Sequence, residues 1–398
     1  MLKKFGLLYA LIIAFLIGYI YTALVYNGIW FNLRTGLSRI PFYMWIVWLI
    51  VSFYLTLTLH ELGHFFAFRI QGIKLRALYL TIFVFYRNEK GWRFLIKPKL
   101  WILLGGLVVP DLGEIKNDDD YQKVANKFGV ALITAPIVTL SILLLTWVIF
   151  IMTLYSSSNI VTLGIIAVMT LWITLLSLLY IYTFTLSNPM FYGDMVAYKK
   201  MKKDAVFQLA QIHQYQMFSL TDSKETEIFL WQKAKDAIKK HTLHHHTTDI
   251  ALYMAYIDGI LHLNQEIDTQ VDLKIQRLST HLFTRSEQGL TLLYEVCHYY
   301  YKTRRPDQAY RLFEFIQERA SKKVSEHVLE YLKKRSMHIM HLAYDDVYLN
   351  DLKHITMGNT WIFEPILDLH EMLKNAHEKL PFVPYLTLVD LKKEEEMT

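Results

Sequence analysis

The chain has 398 residues, 53% of them hydrophobic, a net charge of +6 and a single cysteine. So much apolar content excludes an ordinary soluble globule, and one cysteine excludes an intrachain disulfide and any cysteine-built metal site. The basic excess does not point to nucleic acid. Its lysines border apolar runs, where anionic lipid headgroups are the simpler partner.

Four uncharged apolar stretches, residues 5–26, 40–59, 128–155 and 160–187, are each long enough to cross a bilayer as a helix. The first follows MLKK and could be a signal peptide. It is long for one and no A-x-A-like site closes it, so it reads as a retained helix. From about residue 199 charged and polar residues recur every few positions, with the change near MVAYKKMKKDA (195–205). The expected architecture is a polytopic α-helical membrane half over 1–200, followed by an α-helical, water-soluble half over 201–398.

Basic residues flank these runs unevenly. Lys3 and Lys4 precede the first, a group from Arg69 to Lys99 follows the second, and Lys199, Lys200, Lys202 and Lys203 follow the fourth. The loop YSSSNI between the third and fourth has no charge, and Arg34 and Arg39 between the first and second are a minority. The positive-inside rule then puts both termini in the cytoplasm of a cell with a multi-pass protein in its membrane.

The second run ends in LTLHELGHFF (57–66). His60 and His64 are four residues apart, which on a helix puts both imidazoles on one face, able to share a metal ion. Glu61 beside them completes H-E-x-x-H: two zinc ligands and a general base that takes the proton of an attacking water. The bland alternative is a pair of interfacial histidines beside a stray glutamate. Titratable groups at membrane depth are costly and usually functional, which favours the first reading. Zinc needs a third protein ligand at the same depth. Asp194 lies between the fourth run and its lysines, where Pro189 and Gly193 interrupt the helix. It is the candidate, against the alternative of an ordinary acid after a helix end.

The order of these elements resembles the site-2 protease family, the intramembrane zinc metallopeptidases. HELGH (60–64) is similar to the family's metal motif. LLGGLVV (103–109) is similar to a glycine-containing segment that dips into the membrane, LITAPIVTL (132–140) to a Gly-Pro element opening a core helix, and NPMFYGD (188–194) to the motif that supplies an aspartate ligand. The resemblance covers residues 40–200. It implies that His60, His64 and Asp194 ligate Zn2+, that Glu61 is the base, and that Asn188 holds the substrate backbone or the developing oxyanion. Asn188 beside a proline is equally a helix-end cap. The chain departs from the family with Ala135 before Pro136, Thr139 in place of an asparagine, and Gly193-Asp194-Met195 in place of Leu-Asp-Gly.

Between the second and third runs, LRALYLTIFVFY (75–86), RNEKG (87–91) and WRFLIKPKLWILLGG (92–106) read as a β-hairpin or re-entrant segment on the cytoplasmic membrane face. An exposed edge there could pair with an unwound substrate strand, or the segment could be a structural cap. NDDD (117–120) reads as a solvated acidic tip.

The second half shows helical periodicity in AVFQLAQIHQYQMF, TEIFLWQKAKDAIKKH, EQGLTLLYEVCHYYYK and PDQAYRLFEFIQERA. The last two, joined by TRRPD (303–307), resemble a tetratricopeptide-type hairpin. The domain either binds a cytoplasmic protein partner or is a plain bundle that anchors or gates the core. HTLHHH (241–246) reads as a solvated loop and Cys297 as a buried thiol. The expected function is intramembrane zinc proteolysis of a membrane-spanning or membrane-associated peptide. The alternatives are a non-proteolytic scaffold of the same fold and a transport accessory.

Overall fold

The computed structural model describes residues 28–382, apart from 104, 157–158, 189–190, 222, 243, 245, 321–323, 344–345, 356–359, 370–371 and 375–378, and also residues 14, 15, 18 and 22. But for those last four positions, the spanning helix expected over 5–26 lies outside the described residues. The chain divides into two compact units. One holds residues up to His64 with 132–186 and 193–195, and the other holds 65–131, 187–192 and residues from 196 onward.

The first unit is built from α1 (Ile29–Ser38), most of α2 (Phe42–Ile70), the larger part of α3 (Asp118–Ser156) and α4 (Ile160–Phe184). The last three are long and apolar enough to cross a membrane, and the chain fits a multi-pass membrane protein. Their uniform apolarity is that of helices with lipid on one side and protein on the other. α2 and α3 cross closely because Gly63 has no side chain. A Cβ there would lie 2.8 Å from the Cα of Ala135. Gly63 meeting Ala135 and His60 meeting Thr139 make the two helices antiparallel. α4 follows α3 across residues 157–159, starting where the Asn159 side chain accepts hydrogen bonds from the backbone N–H groups of Val161 and Thr162. α4 meets α2 at its far end, where Tyr180 and Phe184 lie against His60.

The second unit opens on an antiparallel sheet of four strands, β1 (Lys74–Leu80), β2 (Phe83–Asn88), β3 (Gly91–Ile96) and β4 (Gly106–Asp111), in the order β3-β2-β1-β4. The aromatic and β-branched content of 75–96 favours extended chain. LLGGLVV runs into β4, whose Val108 and Val109 pair with Leu78 and Ala77 of β1. β1 is buried along nearly its whole length, whereas the edge strand β3 exposes Trp92, Phe94 and Ile96. The acidic run NDDD is the start of α3. The Asn117 side chain accepts from the N–H of Asp120, and the carboxylates at 118–120 favour the helix dipole.

A two-strand hairpin, β5 (Ser187–Asn188) with β6 (Phe191–Tyr192), leads to α5 (Asp194–Lys203) and α6 (Ala205–Gln216). Then come α7 (Lys224–Lys240), α8 (Thr247–Leu261), α9 (Thr269–Gln276), α10 (Glu287–Lys302), α11 (Pro306–Arg319) and α12 (Glu326–Ile339). α10 packs against α8, α11 and α12. Proline opens α11 at no hydrogen-bond cost, and Arg305 just before it forks onto both carboxylate oxygens of Asp272 at 2.8 and 3.1 Å. Cys297 on α10 is fully buried.

Candidate metal centre

His60 and His64 sit one turn apart on α2, 5% and 9% exposed. Their Nε2 atoms lie 3.2 and 3.5 Å from the same oxygen, Oδ2 of Asp194. Glu61, on the same turn, is 5% exposed. Among the described residues, His60, His64 and Asp194 are the group whose donor atoms stand close enough to share one ion, all within 4.8 Å of one another.

Asp194 reaches that position through its neighbour. A side chain on Gly193 would run into the backbone of Thr183 and Phe184 at the end of α4. The Gly193 N–H donates to the carbonyl of Leu186 at 3.0 Å, closing the base of the β5–β6 hairpin. With glycine there, the chain folds back tightly and α5 starts with Asp194 in its first turn, where the helix dipole favours a carboxylate. The Gly-Asp order, a departure from the family pattern, has this local steric reason.

His60 is held on both sides. Its ring stacks on Phe184 and Tyr180, at centroid distances of 5.1 and 5.7 Å. Its Nδ1 is 2.9 Å from the hydroxyl oxygen of Thr139. Thr139 donates its own proton to the carbonyl of Ala135 at 3.1 Å. The hydroxyl oxygen therefore accepts from Nδ1–H, and Nε2 is left as a lone-pair donor facing Asp194. Two neutral imidazole nitrogens and one carboxylate oxygen, with one position left open, suit zinc in a catalytic site.

The remaining candidates fall elsewhere. Asn188 belongs to the second compact unit, exposed on β5, where it lines a cavity of about 440 Å3 with Tyr192, Lys200, His241, His244 and His246. The histidine tract is a helix connection: His241 caps α7 and His246 precedes α8. A second chemistry-bearing cluster, Glu295, His298 and Ser336, has the order of a hydrolase triad. His298 lies 3.0 Å from Glu295 and 2.9 Å from Ser336. It is not a nucleophile site, because Ser336 is 0% exposed within a helix and Arg335 occupies the other Glu295 oxygen at 2.6 Å. The residues that sequence reasoning missed are Thr139, noted only as a departure, and the two stacking rings. Thr139 had one signal: it lies one helical turn after Ala135, inside the LITAPIVTL element.

No curated protein and no solved structure matches this chain. The family model that does match, peptidase family M50, covers residues 48–360, from the helix that carries HELGH through most of the second unit. The chain belongs to peptidase family M50, the site-2 protease family.

Proposed function

We propose that this chain is an intramembrane zinc metalloprotease that cuts a membrane-spanning or membrane-adjacent peptide near the cytoplasmic face. The observation that carries the reading is the convergence of two Nε2 atoms and one carboxylate oxygen from His60, His64 and Asp194, with Glu61 beside them. Zinc bound there supplies Lewis-acid chemistry. Glu61 takes a proton from the water that attacks the scissile carbonyl and passes it to the departing amide nitrogen, so that one water is consumed for each bond broken. Thr139, Tyr180 and Phe184 hold His60 in orientation. Asn188 hydrogen-bonds the substrate backbone, and the exposed edge of β3 offers it a strand to pair with once its helix unwinds. Both termini lie in the cytoplasm of a cell-membrane protein, and residues 201–398 form a helical domain that recruits a protein partner or substrate.

The test is zinc per chain in the detergent-purified full-length protein, with His64→Ala and Asp194→Ala beside it. The expected result is about one zinc in wild type and loss in both variants. Glu61→Gln should keep the metal and lose cleavage. A metal-free wild type, unchanged by either ligand substitution, would overturn the reading.

A further inference from the structure

Within the helical part of the second unit, a cavity of about 270 Å3 adjoins the one beside Asn188, and Thr242 and His244 line both. Besides that connection after α7, its walls come from Tyr253 on α8, from Lys274 in the last turn of α9 with Arg277 and Leu278 after it, and from the turn 279–283. Among the described residues, no carboxylate lines it. Asp249, in the wall of the neighbouring cavity, is already engaged: its Oδ2 accepts the His244 N–H at 2.8 Å.

The donors on these walls are of two kinds. Lys274 is fully engaged, its three N–H groups donating to the carbonyls of Ile238, Lys239 and His241 at 2.5–3.0 Å. It closes the end of α7 and leaves its charge in the wall. Arg277 is exposed, and its guanidinium makes no hydrogen bond or ion pair among the described residues. Ser279 precedes a short helical turn that its hydroxyl does not cap. Tyr253 is 3% exposed and lines the cavity, and its hydroxyl has no hydrogen-bond partner among the described residues. Burial, with Asp249 nearby, pushes its pKa up to about 12, so the hydroxyl keeps its proton to donate. A tyrosine so buried ordinarily has a partner for that O–H. Here the cavity is the place from which one can come.

One guanidinium fork and two hydroxyls, set beside Leu278, Leu282 and Phe283, match a single carboxylate that carries an apolar group. A phosphate dianion would ask for more than one free cation and would leave the apolar wall unused. A metal ion would be repelled by Arg277 and Lys274. The volume is below that of sites for drug-sized ligands and suits the end of a chain. A chain end also puts its carboxylate directly beside its last side chain, which an aspartate or glutamate within a chain does not. We propose that this cavity captures the carboxyl terminus of a peptide whose last residue is apolar, with the carboxylate on Arg277 and Tyr253 and the side chain against Leu282 and Phe283. The proposal gives the recruiting role of residues 201–398 a site and a ligand class, and its use in proteolysis rests on the reading above. The binding itself does not.

The test is fluorescence anisotropy of a labelled hexapeptide ending in leucine, titrated with the full-length protein in detergent. The free acid should bind in the micromolar range, and the same peptide with an amidated end should bind at least about tenfold more weakly. A glycine end should also weaken binding about tenfold, through the lost apolar contact. Arg277→Gln should cost at least about tenfold, Arg277→Lys less, and Tyr253→Phe about 3–10-fold, with the thermal melt unchanged in each. No binding of the free acid to wild type would overturn the proposal, and that result does not depend on how any variant folds. Equal affinity for the amidated peptide, or an Arg277→Gln protein that binds as well as wild type, would overturn it too. So would displacement of the peptide by inorganic phosphate at equal concentration, which would mark a plain anion site. The two readings fail separately. A protein that binds the peptide but holds no zinc overturns only the protease reading, and one that holds zinc but binds no peptide overturns only this site.

Discussion

A threonine hydroxyl decides which nitrogen of His60 can face a metal. Thr139 has one proton, already given to the carbonyl of Ala135, so toward His60 it can only accept. Valine has the same shape without the oxygen. Thr139→Val frees Nδ1 and lets the wrong tautomer form. The expected consequence is zinc affinity lowered about 10–100-fold, the usual effect of losing a partner of a metal-ligating histidine. Thr139→Ser, which keeps the hydroxyl, should restore most of it, and chelator competition measures both. Equal affinity in the valine variant would remove Thr139 from this role. At this scale the sequence was legible where chemistry is local. HELGH offers its two candidate ligands by spacing alone, and Asp194 could be matched to them by counting from the ends of apolar runs. Thr139 could not be found that way, because its contact with His60 spans 79 residues and depends on how two helices cross at Gly63.

Within the helical part of the second unit, the buried polar line between α10 and α12 sets how the elements respond to acid. His298 is 1% exposed, and burial pushes its pKa below the ordinary 6.5 even with Glu295 beside it. Burial alone would raise Glu295, but Arg335 and His298 hold its carboxyl well below the ordinary 4.5. Both folded values are lowered, so the unfolded chain binds more protons in each range. Stability is therefore fully present above about pH 6.5. It falls first as His298 would take up a proton on unfolding, and falls again below about pH 4.5 as Glu295 does. Denaturant melts of the second unit's helices between pH 7.5 and 4 should follow this slope. Glu295→Gln should flatten its acid end and cost about 1–3 kcal/mol at neutral pH, because the half-buried Arg335 loses its charge partner. A flat profile in wild type would show that the cluster does not couple to folding. The periodicity of α10 was plain in the sequence. The cluster was not, since His298 and Ser336 are 38 positions apart and each looks like an ordinary helical residue.

The largest gap between sequence and structure is the way the far end of the chain closes the sheet. Short and weakly patterned, the segment 360–367 gives no local reason to expect a role, and the sequence assigned it none beyond the helical half. Yet Ile366 is 3% exposed in the core that also holds Ala77, Tyr79, Val84 and Val109 of the sheet. Phe363 stacks on Phe218 at 4.7 Å. Lys97 reaches the carboxylate of Glu364 at 2.5 Å and the carbonyl of Trp361 at 2.9 Å, and Arg76 donates to the carbonyl of Ile366 at 2.9 Å. The contacts of Lys97 and Arg76 join positions 264 to 290 residues apart, so neither strand periodicity nor a helix signature carries them. They explain how β1, so buried, stays in a small four-stranded sheet: the C-terminal segment supplies apolar cover that the strands cannot supply for themselves. A chain ending before Thr360 should therefore fold with β1 and β2 exposed. Hydrogen exchange at Ala77, Tyr79 and Val84 should speed up by at least a hundredfold, while amides of α10 and α11 keep their protection. Ile366→Ala is the milder form of the same experiment. Removing a buried isoleucine costs about 2–5 kcal/mol, felt first as faster exchange in those two strands. Unchanged protection of β1 and β2 in both proteins would mean that the segment merely rests on a sheet that stands without it.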